Sequence, residues 1–413
     1  MKNTKKLISL LGIAFITASV FTGCSSSTSG SSNDNITLTW ETHRTDMANT
    51  KLKDLADKYH KENPNIKISI ESVKDGDNVM KTRAAAGELP DLSDIPADMK
   101  RIDLPLYYAP IDDLGFTKSN IFGYDIGAIN GKLYGLNSSV NYCGIIYNKK
   151  SFKEAGIETV PKTMDEFYAD CKKLKDKGMI PFASNYKDKW PLNVYSQDMV
   201  LEVEQTANAN FKNDLKNKKL FGDKDGMLYA YDFLRGMNEK GFLEPDLMST
   251  NWDSMKKDQA TGKTAMTFLG SWYPTQVVEN GADKNDIGMF PFPGTKKLLV
   301  SPDYMFGISK NSKHIKETKD FLKWLYKDDK FENAINIASP RKGVKYTDPA
   351  LTELMSYNTP TIEAVVTTTE VDKLFKRSQI DFQASIQEYV TAKDPQSVID
   401  KYNKMWDSSK ESN

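Results

Sequence analysis

Three cysteines and three histidines in 413 residues leave little material for metal or disulfide chemistry. Cys24, Cys143 and Cys171 cannot build a disulfide framework. Cys143 lies in an apolar strand-like run and Cys171 in a helical one, so both read as buried reduced thiols, a single bridge between them being the other possibility. His43, His60 and His314 fall at no ligand spacing, and neither His-Glu-x-x-His nor Cys-x-x-Cys occurs, so no metal and no other cofactor is expected. Net charge is missing too: 56 basic residues face 56 acidic ones, which leaves out the concentrated basic face that nucleic-acid binding needs. Long apolar runs are absent apart from Leu7 to Phe21, which is too short for a transmembrane helix. There is no Gly-x-Ser-x-Gly elbow. Thr261-Gly-Lys-Thr264 only imitates a phosphate-binding loop, because Lys257 stands where the first glycine is required and the segment precedes a strand.

What the chain does have begins with Lys2, Lys5 and Lys6 ahead of that apolar run, which Phe21-Thr-Gly-Cys24 closes. This resembles a lipoprotein signal, residues 1–23, cleaved so that Cys24 carries the acyl chains. Residues 24–35 are rich in Ser and polar, with nothing to bury, and read as a tether. From Ile36 the pattern becomes strand, helix, strand, helix, strand: Ile36–Trp40, Ala48–Glu62, Ile66–Val73, Val79–Ala86 and the run after Leu89. That alternation predicts a parallel, doubly wound α/β sheet. Thr163 with Glu166 predicts a capping box for a helix reaching Lys177. Asp303–Ser309 reads as a strand and Ile315–Tyr326 as an amphipathic helix, before Pro340 and Gly343 break the pattern.

The most informative stretch is Gly262 to Val278. Thr264–Leu269 fits a short buried strand, Gly270-Ser271 turn the backbone, and Trp272 emerges at the strand's carboxyl end, where open α/β sheets place ligands. An indole there can stack on a flat ligand face or simply plug a core. From Glu239 to Gly294 the chain carries Glu-Lys-Gly-Phe-Leu-Glu-Pro-Asp, Asn-Trp-Asp, Gly-Lys-Thr-Ala-Met, Gly-Ser-Trp and Asp-Ile-Gly-Met-Phe-Pro-Phe-Pro-Gly. These pieces resemble the extracellular solute-binding lipoproteins of carbohydrate ABC importers, with the maltose-binding type of architecture.

The resemblance implies two lobes, each a sheet flanked by helices, joined by three crossings: 36–149 plus 306–340 in the first lobe, 150–305 plus 341–413 in the second. It implies a sugar or oligosaccharide in the cleft, delivery to an ABC permease, attachment to the outer face of the membrane through the lipid only, a monomeric state and no catalysis. Trp272 and Trp190 then become sugar platforms, joined as candidates by Trp252, Tyr304, Trp40, Arg44, Asp46 and Arg341. Several of these keep a second reading: Trp190 as a structural anchor for the helix after Pro191, Trp40 as core, Arg44 with Asp46 as an exposed ion pair, and Asn251-Trp252-Asp253 as a helix cap through Asp253. Alternatives on the same fold are a polyol phosphate or polyamine ligand, and a carbohydrate-active enzyme with paired carboxylates.

Overall fold

The computed structural model describes residues 35–73, 75–200, 207–222 and 226–411. The expected signal, the expected lipidation site Cys24 and all but the last residue of the expected tether lie outside the described residues. Twelve strands matter here: β1 (Ile36–Thr42), β2 (Ile66–Ser72), β3 (Leu92–Ile95), β4 (Leu136–Asn137), β5 (Val140–Asn141), β6 (Cys143–Asn148), β7 (Ile180–Ala183), β8 (Thr264–Gly270), β9 (Ile287–Phe290), β10 (Leu298–Pro302), β11 (Met305–Ile308) and β12 (Thr361–Glu363).

They form two main sheets. The first has the order β2-β1-β3-β11-β4; β1 runs parallel to β2 and β3, and β11 runs antiparallel to β3 and β4. The second has the order β9-β6-β8-β7, with β8 parallel to β7 and antiparallel to β6. Each sheet has its own core. Trp40, Phe306, Phe321 and Phe331 pack edge to face behind the first, and Phe167, Phe182, Phe233 and Phe292 do so behind the second. The fold is therefore α/β and two-lobed, although β11 makes the first sheet mixed where a wholly parallel one is expected.

Local signals explain the helices that position the lobes. Thr163 Oγ1 accepts from the Glu166 amide at 3.2 Å and the Glu166 carboxylate accepts from the Thr163 amide at 3.2 Å, so the capping box forms. Helix Ile315–Tyr326 buries Phe321, Leu322 and Leu325 against the first sheet, matching its apolar stripe. Cys143 and Cys171, both buried, are not bridged to one another.

A third, small sheet, β12-β10-β5, carries the chain between the two large ones. After β4 the chain passes through β5 into β6, and after β9 it passes through β10 into β11. Val140 pairs with Pro302 of β10 and, on its other side, bridges Ala338, where the chain crosses a third time. This corrects the expected boundary at 149, because β6 already belongs to the second sheet. Its apolar run, Cys143 to Tyr147, fits a buried strand in either lobe, and only pairing with Met266–Gly270 decides.

Trp40 is also corrected. Its ring is fully buried among Phe306, Phe321 and Phe331, so it is core and not cleft. Replacing Trp40 with Ala should cost about 3 to 5 kcal/mol of stability in urea unfolding. A loss under about 1 kcal/mol would place the ring elsewhere.

Candidate functional site

Strand register gathers the site. Cys143, the first residue of β6, pairs with Gly270 at the carboxyl end of β8, while Asn137 and Ile95 both pair with Met305. The carboxyl ends of β3 and β8 therefore lie at the ends of the sheets from which residues 138–142 cross. At about 3.3 Å per extended residue that crossing reaches no more than about 20 Å. Two sets of strand-end loops thus face one cleft, as switch-point geometry requires.

On the second lobe, Gly270 and Ser271 turn the chain after β8. The Ser271 amide donates to the Tyr142 carbonyl at 2.9 Å, and the Tyr142 amide donates to Ser271 Oγ at 3.3 Å, so the turn is fastened to the crossing segment. The indole of Trp272 folds back over Gly270, where any Cβ would collide with its Nε1. After β7, the buried Glu244 carboxylate accepts from the Ser184 amide (3.0 Å), Ser184 Oγ (3.1 Å) and the Asn185 amide (2.8 Å). Burial pushes its pKa up even against these bonds. The chain then makes a tight turn at Lys189, whose φ of 61° and ψ of −55° are strained for a residue with a side chain. Trp190 follows, 40% exposed.

Helix Trp252–Ala260 brings the third ring. Asn251 caps it by accepting from the Ser254 amide at 2.9 Å, which corrects the assignment of that cap to Asp253. The Trp252 amide donates to Asp188 at 2.5 Å, tying this helix to the turn before Trp190. Three indoles consequently meet: Trp190 and Trp252 with centroids 4.6 Å apart, and Trp272 at 5.9 Å from each. Lys256 Nζ stands 5.5 Å over Trp252. The three rings are separated by up to 82 residues in sequence and converge only because β7 and β8 are parallel neighbours.

On the first lobe, Tyr304 stacks on His43 with centroids 4.0 Å apart and planes 20° apart. The Asp94 carboxylate, at the end of β3, accepts from the His43 amide at 2.9 Å and lies 2.6 Å from His43 Nδ1. Burial lowers the imidazole's pKa, but the hydrogen bond and charge of Asp94 outweigh it and the net shift is upward. Beneath them Glu41 is fully buried and accepts from the Asp94 amide at 3.2 Å. Burial, reinforced by Asp94, pushes Glu41 up to about 8. A cavity of about 290 Å³ lies against His43 and Tyr304, with Thr45, Gly76 and Asp77 on its walls. Lys51 of the first lobe's helix Lys51–Glu62 stands 3.6 Å from Glu279, the last residue of the helix that follows Trp272.

The remaining candidates are engaged otherwise. Arg44 and Asp46 bind each other through two bonds of 3.0 and 2.9 Å, a pair at the rim of the first lobe. Arg341 donates to the Tyr326 carbonyl at 2.9 Å and sits 3.6 Å from Asp329, on the third crossing. His43, Asp94, Glu41 and Asp188 are further candidates that the sequence pattern does not single out. Among the described residues no cluster of His, Cys, Asp or Glu is arranged to hold a metal ion, and no helix is long and apolar enough to cross a membrane.

Residues 45–330 match the family described as bacterial extracellular solute-binding protein. The chain is 30% identical over 340 residues to the multiple sugar-binding protein of Streptococcus mutans, covering 78% of each chain. It is 26% identical over 321 residues to the melibiose/raffinose/stachyose-binding protein MelE of Bacillus subtilis, covering 74% of each. Among solved structures it is similar to BlMnBP1, the binding protein of an ABC transporter from Bifidobacterium animalis subsp. lactis in complex with mannobiose. The TM-score is 0.77 at 25% identity, over 92% of this chain and 96% of that one.

Glu41 sets a pH dependence. Folded, it keeps its proton up to about pH 8, whereas an unfolded Glu releases it near 4.5. Its stabilising contribution is full below pH 4.5 and is lost as pH rises through 8. Unfolding free energy should therefore fall between pH 5 and 8 by an amount on the order of a few kcal/mol, and Glu41→Gln should flatten that fall. Urea titrations of both proteins at the two pH values check it; parallel profiles would mean Glu41 is ionised in the fold.

Proposed function

The chain belongs to the bacterial extracellular solute-binding protein family, and from that premise we propose that its cleft takes an oligosaccharide between the indole trio and the His43–Tyr304 wall. The observation that carries this reading is the trio itself: three rings on three separate chain segments, one of them 40% exposed, at the carboxyl ends of two parallel strands. Sugar rings offer C–H faces that suit indole and hydroxyl edges that suit carboxylates and imidazole. Asp94 and His43 supply the edge partners on the opposite wall.

The crossings at 138–142, 301–305 and 336–342 act in this reading as a hinge, so that the lobes close on the sugar and the closed form is what an ABC permease receives. The names of the relatives, a multiple sugar-binding protein and a melibiose/raffinose/stachyose-binding protein, support an oligosaccharide over a polyol phosphate or polyamine. The cleft needs no catalytic group for this task. Cys24, acylated after cleavage, tethers the protein to the outer membrane surface.

Two measurements decide the ligand and its platform. A panel of mono- and oligosaccharides should raise the melting temperature, the linkage contributing about 2.7 kcal/mol at a hundredfold excess over Kd, while spermidine and glycerol phosphate should not. A shift confined to the last two would overturn the sugar reading. With the best sugar in calorimetry, Trp272→Ala should weaken binding by about 2 to 3 kcal/mol, roughly thirty- to a hundred-and-fifty-fold. Near-normal affinity in a strongly destabilised variant would make the ring a core plug.

The anchor is tested apart from the cleft. Cys24→Ser should move the protein from the washed membrane fraction into the medium with sugar affinity unchanged, because two or more acyl chains are needed for lasting attachment. Retention on membranes would assign the anchoring to something else.

A further inference from the structure

A second cavity, of about 250 Å³, lies within the second lobe and shares no lining residue with the cleft walls. Phe211, Phe375 and Phe382 give it aromatic sides, and Lys212 also lines it. Lys212 belongs to the short helix Phe211–Asp214. Among the described residues its ammonium has no hydrogen bond and no ion pair, although its neighbour Lys216 is paired with Glu370 at 3.0 Å. The one charge that acts on it among the described residues, Asp198, accepts from Ser301 Oγ at 2.8 Å. Burial pulls the Lys212 pKa down, and Asp198 offsets only part of that. A cationic side chain drawn out of water and offset by a single carboxylate that it does not hydrogen-bond is costly, and an anion arriving beside it would lower the cost.

The cavity's size and remaining polar groups narrow the occupant. Drug-sized ligands occupy about 300 to 1,000 Å³, and a 150 Å³ apolar cavity holds benzene, so 250 Å³ suits one substituted six-membered ring. Ser196, Gln197 and Thr367 on the wall can hydrogen-bond ring substituents. Asp372, exposed at the lining, disfavours a doubly charged phosphate more than a single carboxylate. Ser196 and Gln197 sit in a π-helical turn, Tyr195–Met199, a local distortion that often marks a functional position. That turn begins three residues after the Trp190–Leu192 turn, so the same short segment supplies both an indole of the cleft and a wall of the cavity.

We propose that this cavity is a second binding site, for a carboxylate carried on a six-membered ring, with Lys212 as its counter-ion. Two sources offer that chemistry: a uronic-acid unit of an oligosaccharide, or a separate small ring acid. Calorimetric titration separates them. The probes are methyl glucuronide against methyl glucoside, and benzoate with cyclohexanecarboxylate against their amides, each with the wild type, Lys212→Met and Lys212→Arg. The expected result is at least a tenfold preference for one acid class over its neutral partner, kept by Lys212→Arg and abolished by Lys212→Met, while the neutral sugar of the cleft binds all three alike. Preference for the glucuronide identifies the occupant as sugar, and preference for the simple acids identifies a separate ligand. No preference in the wild type, or a preference that survives in Lys212→Met, overturns the proposal. Should Lys212→Met fail to fold, saturation transfer between the preferred acid and the rings of Phe211 and Phe382 in the wild type decides instead, and its absence is equally fatal. Because the neutral sugar is titrated separately, failure here leaves the cleft reading standing, and failure of the cleft leaves this one testable.

Discussion

Val140 is the point on which the two lobes depend. It is fully buried, pairs with Pro302 on one side, and on the other donates its amide to the Ala338 carbonyl at 3.0 Å, so all three chain crossings pass within one hydrogen-bonded ladder. Three short segments held edge to edge resist shear and twist better than one linker, yet they can bend together. The geometry of the cleft follows. Crossings this short keep the carboxyl ends of both sheets near one another, and the loops that follow those ends border the space between.

The walls are held differently. The second lobe fixes its rings through backbone amides: Glu244 takes those of Ser184 and Asn185, Asp188 takes that of Trp252, and Gly270 makes room for Trp272. The first lobe uses a stack of ionisable groups, with His43 between Tyr304 and Asp94 and a protonated Glu41 underneath. Neutral Glu41 can lie beside Asp94 because burial has already removed its charge. A rigid apolar wall and a polar wall whose charge state can respond are thus set opposite one another, and the strained backbone of Lys189 stands next to the most exposed ring.

Much of this was legible in the sequence. The run from Thr264 to Gly270 announced a buried strand and a turn, Thr163 and Glu166 announced their capping box, and the tryptophans at 190, 252 and 272 stood out through the motifs around them. Where the reading failed, non-local pairing was the cause. The apolar run of β6 fits either sheet until β8 is placed beside it, and Trp40 looks like a strand-end ring until the helix Ile315–Tyr326 and Phe331 close over it. His43 carries no local signal because its partners, Asp94 and Tyr304, lie 51 and 261 residues away.

The indole trio also makes the cleft a single optical object. Of the six tryptophans, Trp40, Trp324 and Trp406 are buried in the cores, whereas the other three stand with centroids 4.6 to 5.9 Å apart. At such separations excitation energy passes among indoles faster than it is emitted, and their transition dipoles couple. Light absorbed by any ring of the trio is therefore shared by all of them. A quencher or a polar group touching Trp190 alone would dim or shift the emission of the whole cluster, and the near-ultraviolet circular dichroism should carry a paired band from their mutual orientation. The residues that form one wall of the cleft are, by the same packing, its built-in reporter.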